Sequence, residues 1–412
     1  MEGSLLRLLG EPASWEKFYG FKRDLVCPKA FLKELRRFID GGGFVPSVRA
    51  IEAGERFPLP RKSVISKQSS KKKRVVYTYP YAENIVLKLL THLLLRKYDG
   101  VFSENLYSFR PGRNAKDAVR KLCAISGGQR LWSYKVDISN YFNSVPVGRL
   151  LPELRETLAD DPELYSFLAA LLSEKEVLEK GNPVIEEKGI MAGTPVSAFY
   201  ANLYLKDLDR FFYERRIPYA RYSDDIILFA PSREEAAAYA AFVREFLAGK
   251  GLAVNPDKES FSLPEEGWTF LGFSYREGVV DIAAATVEKL KKKMRRKTRA
   301  LARWRDRNEL EGERAAKAFI RIFNRKLLEN GADNELTWSL WFFSVINTDA
   351  SLKIIDAYAQ ECIRFLVSGK RTKARFGVRY ENMKELGYRS LVHEYYAYEK
   401  GKKEETALRE GD

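Results

Sequence analysis

The chain has 412 residues, 45% of them hydrophobic, enough for a large core and about two or three domains. Its formal charge of +15 calls for a polyanionic partner, nucleic acid or an anionic surface. No apolar run approaches the ~18 residues of a membrane span, no cationic-then-apolar leader opens the chain, and Cys27, Cys123 and Cys362 are too scattered for a disulfide frame or zinc site. The expectation is a soluble cytoplasmic protein without a membrane partner.

Residues 1–57 read as helical. Phe18, Tyr19, Phe21, Leu25, Phe31, Leu32, Leu35 and Phe38 form an apolar stripe that Gly41-Gly42-Gly43 interrupts. From Arg61 to Pro80, two β-branched runs flank a turn rich in lysine that leads to Lys73 and Arg74. This pattern predicts a hairpin whose cationic tip can close over a triphosphate, with a solvated loop as the alternative. Ile85–Leu95 reads as a buried helix carrying His92, in a core or half-exposed role. With His393 as the other histidine, no His-Asn-His nuclease is expected from these residues. Phe109-Arg110-Pro111-Gly112-Arg113 then precedes a helix, offering two guanidinium groups and free backbone N–H groups as a seat for phosphate.

Trp132–Ile138 is strand-like and carries a lone acid, Asp137, near its end. Gly189–Leu205 is a glycine turn feeding a helix, in which Gly193 permits close backbone approach to a nucleotide. In Tyr219–Ala230, two apolar runs flank Asp224-Asp225 where a hairpin would turn. A bare Asp-Asp pair is ordinarily a solvated turn. Between apolar strands, adjacent carboxylates repel and stay ionised cheaply only with a cation between them and a third acid. Setting the two strand ends side by side brings Asp137, Asp224 and Asp225 to one point. That is a two-metal nucleotidyl-transfer site, in which Mg²⁺ activates the attacking hydroxyl and neutralises leaving pyrophosphate.

Beyond the hairpin, Arg233–Gly251 reads as an amphipathic helix, followed by Lys258 in a short polar segment. Val287, Leu290, Met294, Leu301 and Trp304 recur at helical spacing amid Lys291-Lys292-Lys293 and Arg295-Arg296-Lys297. Such a helix suits a nucleic-acid backbone, each phosphate contact adding salt-sensitive affinity. Trp338–Phe343 and Leu352–Leu366 read as bundle helices with core aromatics. Arg379–Tyr396 places Arg and Tyr together, for RNA contact or for packing, and the charged tail from Glu399 is expected to fray.

Taken together, these segments resemble a known family. Tyr222-x-Asp224-Asp225 between apolar strands, Asp137-Ile138-x-x-Tyr141-Phe142, Phe109–Arg113, the helix ending Ala201-Asn202-x-Tyr204-Leu205, and Phe270-Leu271-Gly272-Phe273 follow in the order of reverse transcriptase motifs. The resemblance implies an α+β right-hand polymerase. Fingers and palm with an antiparallel sheet would span 58–280, after an N-terminal helical region at 1–57. An α-helical thumb and C-terminal helical bundle would follow at 281–398, with a charged tail at 399–412.

The resemblance also implies roles. Asp137, Asp224 and Asp225, helped by the carbonyl of Ile138, would hold two Mg²⁺ ions, with Mn²⁺ as a substitute. Lys258 would protonate departing pyrophosphate, unless it is simply a surface lysine. Lys73, Arg74, Arg110 and Gly193 would meet the incoming dNTP. Phe142 would be the steric gate against a ribose 2′-hydroxyl, with Tyr141 packed beneath the palm. Arg113, Tyr222, Phe270, Gly272, Lys291, Lys292, Arg295 and Arg296 would face template or primer.

Two departures bear on lineage. Group II intron and retron enzymes usually carry Gln and Pro where this chain has Ala192 and Ala198. This variant resembles the bacterial "unknown group" enzymes, several of them defence-associated. That resemblance implies a noncoding RNA as template and scaffold, a cDNA product and an antiphage role. The alternatives are a group II intron-like reverse transcriptase without its endonuclease, an RNA-dependent RNA polymerase, or a non-catalytic RNA-binding relative. Phe142 argues against the RNA polymerase, and the three acids against the non-catalytic relative. The oligomeric state is not encoded in any motif of the chain.

Overall fold

Strand and helix periodicities in the chain resolve into two compact units, residues 1–25 with 30–266 and residues 26–29 with 267–412. The computed structural model describes residues 4–25, 27–66, 73–329, 337–370, 372 and 376–410. Lys67–Lys72, the expected hairpin tip, lies outside the described residues.

The first unit opens with helices α1 (Pro12–Asp24), α2 (Lys29–Asp40) and α3 (Val45–Glu52), the glycine run breaking α2 from α3 as the sequence predicts. Strands β1 (Arg61–Ser66) and β2 (Lys73–Thr78) form the expected antiparallel hairpin, with Ile65 opposite Arg74. Helix α4 (Tyr81–Lys97) follows, apolar nearly all round and correspondingly buried. Its His92 lies against the rings of Phe18 and Phe21, and burial pushes its imidazole down to about 4. Next come α5 (Ala115–Ser126), β3 (Trp132–Asp137), α6 (Tyr141–Ser144), α7 (Val147–Thr157) and α8 (Pro162–Ser173).

A second hairpin, β4 (Glu176–Glu179) and β5 (Asn182–Ile185), adds to the first, giving one sheet in the order β2-β1-β4-β5. Its turn, Lys180-Gly181, has positive φ at both positions, +53° and +92°, as a tight primed turn demands. Helices α9 (Ser197–Tyr204) and α10 (Lys206–Glu214) lead to β6 (Tyr219–Tyr222) and β7 (Asp225–Ala230). Helix α11 (Arg233–Gly249) and β8 (Ser260–Ser262) complete the unit.

The second sheet, antiparallel throughout, runs β6-β7-β3-β8. Ile226–Ala230 of β7 is buried without alternation, because the strand is central and α11 covers one face. The covering stripe of α11 is Ala236, Ala240, Val243 and Leu247, one turn apart along the helix.

The second unit contains a three-stranded antiparallel sheet of β9 (Trp268–Phe270), β10 (Phe273–Arg276) and β11 (Val279–Ile282). Helices α12 (Ala284–Arg307), α13 (Gly312–Leu327), α14 (Trp338–Phe343), α15 (Ala350–Ser368), α16 (Tyr380–Glu385) and α17 (Leu391–Glu410) follow. The bundle packs the buried stripe of α12 (Val287, Met294, Leu301) with α13 and α15, and Phe342 and Phe343 are core residues as expected. Asp356 on α15 accepts from Tyr388 Oη at 2.7 Å and from the Leu391 and Val392 amides, tying the start of α17 to α15. Packing therefore accounts for Tyr388, and Arg389 is paired with Glu394 at 2.7 Å. Helix α17 runs to Glu410, with the Lys400–Glu404 pair one turn apart at 3.9 Å. Among the described residues, no helix is long and apolar enough to cross a membrane.

Candidate active site

Register brings the acids together. In the β3–β7 pairing Asp137 stands opposite Asp225, and Asp224 occupies the β6–β7 turn beside them. One carboxylate oxygen from each of the three lies within 4.8 Å of the others. Asp137 is buried and the other two are half-buried.

A polar lock holds the turn. Ser223 takes a left-handed φ of +60° at the first of two turn positions, as a tight primed hairpin requires. Its amide donates to Ser108 Oγ at 2.9 Å, and that hydroxyl donates to Asn202 Oδ1 at 3.1 Å. Its carbonyl accepts from Arg221 at 3.2 Å. Arg221 is fully buried and paired with the equally buried Asp209 at 2.6 Å, and it also donates to the carbonyls of Ala201 and Asn202. The amide of Ile138 donates to the carbonyl of Asp224 at 3.0 Å, fastening the turn to the end of β3. Sequence reading missed Asp209, Arg221 and Ser108. The signal for Arg221 is a charge inside an apolar strand, which folding tolerates only with a buried partner.

The site is charged against itself. Burial pushes the Asp225 carboxyl up to about 6, with Asp224 adding to it. Asp224 is raised as well, first by burial and then by Asp137, while Lys258 and Arg74 pull it back. Lys258 Nζ reaches Asp137 Oδ2 at 2.5 Å, and its side chain is half exposed. Three hard oxygen donors, two of them with raised carboxyls, are suited to a divalent cation, whose charge offsets the repulsion.

The other expected residues divide. Lys73 and Arg74 are exposed on β2, and the charge of Arg74 is felt at Asp224. Phe142 is half-buried one residue after Tyr141, whose buried hydroxyl donates to the Ala201 carbonyl at 2.6 Å. Tyr222 is half-buried, with its ring 6.5 Å from that of Phe109.

Arg110 is a correction. Its guanidinium is buried on Asp99 at 2.7 Å and donates to the Ser103 carbonyl, so it is a structural clamp with nothing left for a nucleotide. Arg113 donates to the Glu104 carbonyl at 2.7 Å and lies 3.7 Å from its carboxylate. The expected phosphate seat is closed too: Asn114 accepts from the Lys116 and Asp117 amides, and Asp117 accepts from the Asn114 amide.

Gly193 packs tightly on the protein itself. At φ +102°, a Cβ there would meet the Tyr77 carbonyl at 3.0 Å, so the close approach is to β2, whose Tyr77 amide donates to Ala192. In the second unit, Phe270 is fully buried and Gly272 takes φ +89° in the β9–β10 turn, so the Phe270 ring supports that turn from within and presents no face of its own. Lys291 is tied to Glu288 at 2.7 Å and lies over Tyr358, whereas Lys292, Arg295 and Arg296 are exposed on α12.

A carboxylate trio on adjacent antiparallel strands, fastened by a buried ion pair, defines the palm of a nucleic-acid polymerase. Residues 65–275, just over half the chain, match the family described as reverse transcriptase (RNA-dependent DNA polymerase), and the chain belongs to that family. The group II intron-encoded protein LtrA of Lactococcus lactis subsp. cremoris is 26% identical over 184 residues, covering 44% of this chain and 30% of that protein. An uncharacterized 91 kDa protein in the cob intron of Schizosaccharomyces pombe is 28% identical over 155 residues, 38% of this chain and 19% of that one. The chain thus matches less than a third of the length of either relative. Among solved structures, telomerase from Candida albicans in complex with a TWJ fragment of telomeric RNA superposes with a TM-score of 0.45 at 12% identity, over 81% of this chain and 64% of that one.

Proposed function

We propose that this chain is an RNA-directed DNA polymerase that copies an associated noncoding RNA into cDNA, in antiphage defence. The observation that carries the polymerase reading is the convergence of Asp137, Asp224 and Asp225 within 4.8 Å. Asp137, Asp224, Asp225 and the Ile138 carbonyl would hold two Mg²⁺ ions, with Mn²⁺ as substitute, which supply Lewis acidity to a primer 3′-hydroxyl and to the leaving pyrophosphate. The chain's own groups do the rest. Arg74 and Lys73 restrain the dNTP triphosphate, and Lys258, half exposed beside Asp137, holds the proton that the departing pyrophosphate takes. Phe142 excludes the ribose 2′-hydroxyl. Lys292, Arg295 and Arg296 on α12 follow the template–primer backbone.

The noncoding template and the defence role rest on the Ala192 and Ala198 departures and their likeness to defence-associated enzymes. The 26% identity with LtrA favours a second reading, an intron-type enzyme acting on intron RNA. Purification from a host carrying the native gene neighbourhood, with sequencing of co-purified RNA and DNA, separates the two. One abundant small RNA with complementary cDNA supports the proposal, and intron RNA supports the second reading. Heterogeneous RNA with no cDNA overturns both.

A further inference from the structure

Phe109 is anomalous on two counts. It takes a left-handed φ of +56°, which a bulky L-residue adopts only at a cost, and its side chain is 40% exposed, so burial returns little. Its neighbours hold it there. Residues Asn105–Tyr107 run alongside β6: the Arg221 amide donates to the Asn105 carbonyl and the Tyr107 amide to the Arg221 carbonyl, each at 3.0 Å. Ser108 is pinned to Asn202 and to the catalytic turn through Ser223. Arg110 is anchored on Asp99. The ring between these anchors emerges beside Phe142 and Tyr222, residues close in sequence to the acids. There it meets Phe142 edge to face, centroids 6.4 Å apart at 88°, and the tilted ring of Tyr222 at 6.5 Å.

We propose that Phe109 is a positioning residue for sugar selection: its ring fixes the plane of Phe142 and thereby sets how strongly a ribose 2′-hydroxyl is excluded. This rests on the reading of Phe142 as the gate. Phe142 has two edge-to-face neighbours, Tyr141 at 5.7 Å and 73° on its own helix and Phe109 at 6.4 Å and 88°, and removing Phe109 frees the ring on that side to tilt away from the sugar. A strained, exposed aromatic retained beside a reacting centre fits a functional demand better than a packing one.

The test compares incorporation of dNTP and rNTP, as kcat/KM ratios, in wild type, Phe109→Gly, Phe109→Tyr, Phe142→Ala and the Phe109→Gly/Phe142→Ala double variant. Glycine removes the ring and also relieves the positive φ, so the variant keeps its fold, checked by a melting temperature at or above wild type. Phe109→Gly is expected to lower discrimination about three- to tenfold, the range of one aromatic pair. Phe109→Tyr restores it, and the double variant discriminates no worse than Phe142→Ala alone. Unchanged discrimination in Phe109→Gly, with discrimination lost in Phe142→Ala, overturns this inference and leaves the gate standing. Unchanged discrimination in Phe142→Ala overturns the gate, and this inference with it.

Discussion

Arg221→Met strips the acidic β6–β7 turn of its buried cation. Five hydrogen bonds go with it: two to the carboxylate of Asp209 and one each to the carbonyls of Ala201, Asn202 and Ser223. Methionine fills much of the vacated space but leaves Asp209, 0% exposed, with only the Tyr219 hydroxyl at 2.9 Å on its side chain. Orphaning one member of a buried pair costs about 3–5 kcal/mol. At about 2–4 °C per kcal/mol for a unit of this size, the melting temperature falls by roughly 6–20 °C. Adding Asp209→Asn removes the stranded charge, so the double variant recovers about half of that loss. Catalysis does not recover with it, because the Ser223 carbonyl still lacks its donor and the turn is free to shift. A displacement of about 1 Å at a reacting group costs on the order of a hundredfold in rate. Urea denaturation of the four proteins of the cycle, with single-turnover extension kinetics, measures both effects. The reasoning fails if Arg221→Met costs under about 1 kcal/mol, or if Asp209→Asn gives no recovery.

Three further outcomes are expected. Asp225 has its carboxyl raised from an ordinary 3.8 to about 6, so its ionisation works against the fold, and stability is lost as pH rises through that window. In chelator, Asp225→Asn is therefore more stable than wild type at pH 7 by about 2–3 kcal/mol and equal to it near pH 4; equal urea midpoints at pH 7 would contradict the repulsion. Gly189 sits at φ +53°, and a Cβ there would lie 2.4 Å from the Phe142 carbonyl, which also accepts from Ile190. Gly189→Ala is expected to cost about 3 kcal/mol by calorimetry and to slow extension, since the residue that must move is Phe142, the proposed gate. Finally, Lys292→Gln with Arg295→Gln should lessen the slope of log affinity against log salt for a template–primer by about two, as filter binding would read it; an unchanged slope would place the nucleic acid elsewhere.

The convergence of the three acids was legible because each part is local. A strand ending on an acid and an apolar hairpin turning on two acids can each be read from a few consecutive residues, and the pairing of β3 with β7 joins them. The β1–β2 hairpin and the amphipathic α11 and α12 are legible for the same reason. What the chain hides is the partner of a charge. Arg110 and Arg113 look free in sequence, yet Asp99 and Glu104, 11 and 9 positions earlier, take them up. The tight neighbour of Gly193 is likewise a backbone carbonyl from a strand more than a hundred positions away, which the local sequence does not announce. The β4–β5 hairpin drew no reading, because Glu176–Ile185 is short and half polar, and it is a strand only by virtue of its place beside β1.

The order in which the chain leaves the ribosome gives the palm sheet a history. Strand β3 is synthesised with both edges open, and its first partner, β7, carries the residue opposite Asp137 at position 225. At about 5–20 residues per second, those roughly 90 positions take some 4–18 s to make. Throughout that interval β3, bearing one of the three acids, has none of its sheet partners to join. The elements packed most closely on β3, namely β7, α11 and β8, all lie later in the chain, and the opposing acids, the buried arginine and the lysine have yet to be translated. Competence for chemistry thus comes late and all at once, when β7 zips onto β3 and the turn that carries two acids is drawn to the strand that carries the third.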